Sequence, residues 1–117
     1  MIEELKELYA SIQKPLPKGS PTDLIEELDY RCQWLARSSE IFADAQRNYD
    51  RAKGLEAGKH VGTSESWNIV KSQIEGAVSE EKRILALAER LNSTLSHQLE
   101  AIRSMLSFIK ADLHNTR

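Results

Sequence analysis

Apolar residues recur every seven positions through most of this chain, and that regularity narrows its fold to packed helices. Leu28, Leu35, Phe42 and Tyr49 form one series. Leu24, Ala45 and Ala52 hold the companion positions, which also include Arg31 and Ser38 and so leave that seam imperfect. Farther along, Trp67, Ile74, Ala88, Leu95, Ile102 and Ile109 share one position, interrupted by Glu81. Val70, Ala77, Ile84, Leu91 and Met105 share the other, interrupted by Gln98. Such a repeat holds its side chains on one face of an α-helix, as in a bundle or coiled coil.

The punctuation between these stripes sets the elements. Met1 to about Gln13 reads as a short amphipathic helix with Ile2, Leu5, Leu8 and Tyr9 on one side. Lys14 to Pro21 holds all three prolines and a glycine, so it ends that helix and forms a linker. Ser20 suits an N-cap, Pro21 the first helical position and Asp23 the first turn. A second helix is expected over 22–57, with Gly58 as a left-handed stop. A loop over 58–65 follows, in which Thr63 or Ser64 would cap a third helix over 66–114, kinked near Gly76. The expected fold is a single all-α domain spanning 1–117. It comprises a short N-terminal helix, a linker, and two long helices in an antiparallel hairpin that oligomerises. Unbroken, the third helix would be a rod of roughly 70 Å at ~1.5 Å per residue. One shorter helix and a stub cannot cover it, so its leftover stripe calls for other copies or a partner.

Composition agrees. Of 117 residues, 40% are hydrophobic, 29% charged and only 6% aromatic, which is poor material for a sheet and too apolar for a disordered tail. A chain this size folds as one domain of modest stability. No run of eighteen apolar residues offers a membrane span, and the acidic start, Met1-Ile2-Glu3-Glu4, lacks a signal-peptide core. The lone Cys32 suits a reducing compartment, so the expected location is the cytoplasm, a host's if the chain is phage-encoded.

Residues with catalytic potential are scattered. His60, His97 and His114 form no ligand pair and stand apart from Cys32, so no metal or other cofactor is expected. Glu26-Glu27 and Glu80-Glu81 are neighbours on different helix faces rather than acid–base pairs. The run Gly54 to His60 falls short of a phosphate loop: its glycines are one residue too close, no Ser or Thr follows the lysine, and it ends a helix. The expectation is a protein with no catalytic residues.

The charge is uneven. Net charge is −2, yet residues 30–60 carry six basic groups against four acids, while residues 1–29 carry three against seven. Arg37, Arg47 and Arg51 fall within an arc of roughly 80° on an ideal helix, and Lys53 and Lys59 extend the charge towards the loop. Such a stripe fits a phosphate backbone, with Trp34 and Tyr49 near enough to stack on bases. The plain alternative is a solvated face diluted by Glu40, Asp44 and Asp50.

Two segments resemble a known family. Tyr30-Arg31-Cys32-Gln33-Trp34-Leu35-Ala36-Arg37-Ser38-Ser39-Glu40-Ile41 is similar to the Trp-Leu, basic, serine, isoleucine segment of the UvsY-type phage recombination mediators. Leu99-Glu100-Ala101-Ile102-Arg103-Ser104, followed by Ile109-Lys110, is similar to that family's C-terminal stretch. Together they cover about a fifth of the chain, with a shorter intervening region and a curtailed C-terminal extension. The resemblance implies a ring of helical subunits that binds single-stranded DNA and helps a RecA-like recombinase replace single-strand-binding protein. It places Arg37 at a basic family position and Arg47, Arg51, Lys53 and Lys59 in the basic helix-to-loop region. Leu99, Ile102, Met105, Leu106 and Ile109 would assemble the oligomer. Two other classes fit the same residues: a helical structural or scaffolding protein, and a small phage-type inhibitor that sequesters a host protein or nucleotide signal.

Overall fold

The computed structural model describes residues 1–17 and 20–115; Lys18 and Gly19 of the expected linker and the side chain of His114 lie outside the described residues. Among the described residues four helices follow one another: α1 (Ile2–Ile12), α2 (Pro21–Gly58), α3 (Trp67–Ala77) and α4 (Ser79–Asn115). No strand occurs among the described residues. Helices α2 and α4 pack as an antiparallel hairpin within a rod of 78 × 25 × 17 Å.

Local chemistry explains most of the ends. Ser20 caps α2, its hydroxyl accepting from the Asp23 N–H at 3.4 Å, and Pro21 occupies the first turn, where no N–H is required. The other end of α2 departs from expectation. Gly58 stays helical; the chain tightens through bonds from the N–H groups of Lys59, His60 and Val61 to carbonyls three residues back. The left-handed residue is Gly62, at φ 82°. Neither Thr63 nor Ser64 caps α3. Ser66 holds the cap position, while the Thr63 hydroxyl donates to the His60 carbonyl at 2.9 Å.

The stretch expected as one long rod is divided at Val78, two residues beyond Gly76. Val78 leaves helical geometry (φ −106°, ψ 17°) and is 1% exposed, so the bend coincides with a side chain driven into the interior. The division matters for assembly. Helices α2 and α4 have 38 and 37 residues, so the unequal lengths that called for further copies are absent from the hairpin itself.

Helix α1 lies along the middle of the hairpin and buries Leu5, Leu8 and Ile12 against Ile41, Ala45, Ala88, Leu91 and Leu95. The residues that made the seam look imperfect are at its centre. Arg31 and Ser38 are both 0% exposed. Arg31 donates to Glu27 at 2.8 Å, to the Ile12 carbonyl at 3.3 Å, to the Lys14 carbonyl at 3.0 Å and to the Gln98 side chain, and its guanidinium lies 5.6 Å from the Trp34 ring centroid. Gln98 in turn donates to the Ile12 carbonyl at 3.0 Å. Helix C-termini leave carbonyls without intrahelical partners, and α1 has no basic residue in its last turn. Arg31 and Gln98 supply the missing donors from α2 and α4. Two turns farther on, the Asn92 amide donates to Ser38 at 3.0 Å and Ser39 at 2.8 Å, fixing the same register.

Candidate functional site

The basic residues of α2 separate into two kinds once their neighbours are known. Arg37 turns towards α1. Its Nε and Nη2 donate to the two carboxylate oxygens of Glu4 at 2.5 and 2.7 Å, and its Nη1 donates to Glu40 at 2.8 Å. These bonds hold the Glu4 carboxyl below its ordinary range and push the Arg37 guanidinium up, in each case chiefly through their mutual hydrogen bond. Lys59 pairs with Glu56 at 2.9 Å.

Arg47 and Arg51 are exposed on the outer face of α2, one turn apart and away from the buried Ile41 and Ala45. Among the described residues, Arg47 forms an ion pair with Asp44 alone, three residues back on the same exposed surface. Among the described residues, no carboxylate lies within ion-pair distance of Arg51 or Lys53. Lys53 instead sits 5.7 Å from the Tyr49 ring centroid. Exposed pairs contribute about 0–1 kcal/mol and are screened by salt, so Asp44 leaves Arg47 open to exchange for a phosphate. The available pair is therefore Arg47 and Arg51; Lys53, six residues beyond Arg47, projects from a different face of the helix beside Tyr49. Trp34, an expected stacking surface, is half-buried between Tyr30 (centroids 6.4 Å apart) and Arg31, and belongs to the packing around the buried Arg31.

The expected assembly residues also divide. Leu99 and Ile102 are 2% and 0% exposed within the single chain, which corrects their assignment: a side chain already enclosed has no surface to offer a second copy. Met105, Leu106 and Ile109 are half-buried. The apolar surface lies one turn farther on and includes residues that the heptad reading passed over. Phe108 is 74% exposed and Ile25 57% exposed. Leu24, Ser104, Met105, Phe108 and Ile109 line an open cavity of about 440 Å³ there. Phe108 follows Ser107 and falls off the seam by one position, so only the antiparallel partner's end, near Pro21, shows that α2 stops short of covering it.

At the opposite end Leu55, Val61, Trp67 and Ile69 are exposed, beside a cavity of about 470 Å³ lined by Ala52, Glu56, Lys59, Val78 and Glu81 among others. Trp67, expected on the apolar seam, is thus a surface residue. Cys32 is a half-buried free thiol, and His97 lies 3.9 Å from Glu100 on the surface. Among the described residues, no group of three or more His, Cys, Asp or Glu side chains could hold a metal ion. No described helix is long and apolar enough to cross a membrane. No protein-family model, no curated protein and no solved structure matches the chain.

Proposed function

We propose that this chain is a non-enzymatic, self-associating helical protein that binds single-stranded DNA and acts as a recombination mediator, helping a RecA-like recombinase displace single-strand-binding protein. The observation that carries the reading is the outward pair Arg47 and Arg51, exposed on the face of α2 away from the core. The resemblance of the Tyr30–Ile41 and Leu99–Lys110 segments to UvsY-type mediators supports it. Two or three phosphate contacts per chain bind weakly, but copies joined through the Met105, Phe108 and Ile109 end would add their contacts along one strand. Assembly through that end brings the arginines of several chains onto one ligand without any change in the hairpin.

A protein-binding role, as scaffold or as inhibitor of a host factor, is favoured instead by the carboxylates already seated on Arg37, Arg47 and Lys59. Fluorescence anisotropy with a labelled oligonucleotide separates the two readings. Mediator function predicts binding at low salt that falls steeply as salt rises. It should weaken several-fold in Arg47→Glu/Arg51→Glu, with helicity unchanged, while Lys6→Glu on α1 has little effect. No binding at low salt would leave the protein-binding role as the better account.

A further inference from the structure

The contact between α1 and Arg37 reaches across the fold rather than along a helix, and it matches the geometry by which an arginine takes a phosphate. We propose that α1 is an internal competitor for the polyanion, with the Glu4 carboxylate seated on Arg37 where a DNA phosphate would otherwise bind. The inference rests on the DNA-binding reading above and concerns the regulation of that site.

Both oxygens of Glu4 engage the guanidinium, on Nε and Nη2, in the two-pronged arrangement that arginine also offers to phosphate. Their side chains are 37% and 46% exposed, so an incoming anion reaches the pair from solvent. Glu4 is the carboxylate on Arg37 that comes from another helix, and it is present only while α1 is docked. The other, Glu40, is an exposed neighbour three residues along α2. Helix α1 carries three glutamates, Glu3, Glu4 and Glu7, against Lys6. It is 11 residues long, too short to persist as a helix in water without its packing. Arg37 lies ten residues before Arg47, so its release would lengthen the basic stripe of α2 by about 15 Å at the helical rise. Exchange of Glu4 for a phosphate, or movement of α1 off the hairpin, would have that result.

The test is oligonucleotide anisotropy on four chains: wild type, Glu4→Gln, Glu3→Gln and Glu4→Gln/Arg37→Gln. Glu3 removes the same charge from the same helix but faces Lys6, at 3.8 Å. Competition predicts that Glu4→Gln tightens binding about threefold or more at low salt and steepens the log–log salt dependence by about 0.7, one further phosphate contact on a single strand. Glu3→Gln should not reproduce this, and the added Arg37→Gln should abolish the gain. Equal affinities for Glu4→Gln and Glu3→Gln, on a wild type that does bind, would overturn the competition and leave the DNA reading standing. Absence of binding by all four chains would overturn both.

Discussion

The middle of the hairpin and the far end of α4 are built from the same kind of helix, yet they meet water differently. In the middle, α1 supplies a third layer, and Leu91 and Leu95 are 0% exposed. Arg31 ties the three helices together there by satisfying carbonyls that α1 cannot satisfy itself. Beyond Ile102 no third helix among the described residues covers the pair, α2 runs out at Pro21, and Phe108 stands 74% exposed over an open cavity. A stripe of apolar residues therefore encodes helix formation along its whole length, but whether it makes core or interface depends on what lies across from each turn.

The largest effect should follow from breaking the middle. Arg31→Ala removes the shared donor and leaves the Ile12 and Lys14 carbonyls and the Glu27 carboxylate without it; loss of one member of a buried ionic network costs about 3–5 kcal/mol. Urea unfolding at fixed chain concentration should show that loss, with Trp34 fluorescence reporting the release of α1. Next in size, Ile102→Ala should cost about 2–5 kcal/mol as a core truncation, seen as a lowered Tm. Phe108→Asp, two turns along, should leave the helical circular dichroism of the hairpin nearly intact and instead reduce the mass in light scattering. If the two substitutions behaved alike, the division between sealed middle and open end would be wrong.

The smallest expected effect is on pH. Glu4 has a depressed folded pKa, caused first by its hydrogen bond to Arg37, so its contribution is present above the ordinary carboxylate range and fades as pH falls through the lowered value. Amide exchange in α1 should therefore quicken in acid in the wild type. In Glu4→Gln that part of the acid response should be missing.

The fold was largely readable because its signals are local. The heptad series, the Ser20 cap and the proline-rich linker each act through neighbours a few residues away, and the hairpin follows from them. The break in the last long stretch was legible only to within two residues: Gly76 marked the weak point by propensity, but it remains helical and the chain bends at Val78, whose side chain is buried by tertiary packing. Arg31 read as a flaw in the seam because a buried guanidinium makes sense only with the carbonyls of α1, and those are brought to it by tertiary packing. The candidate site shows the same contrast. Asp44 beside Arg47 and Glu40 beside Arg37 are spaced three apart and were visible as dilution of the stripe. Glu4 lies 33 residues from Arg37, and nothing in the spacing joins them.

Light scattering of the wild-type chain at micromolar concentration, with and without a single-stranded oligonucleotide, tests the account most directly. It predicts a particle several times the 13.3 kDa chain mass that gains the mass of bound DNA at low salt and loses it as salt rises. A stable helical monomer of 13.3 kDa whose mass the oligonucleotide leaves unchanged would contradict it.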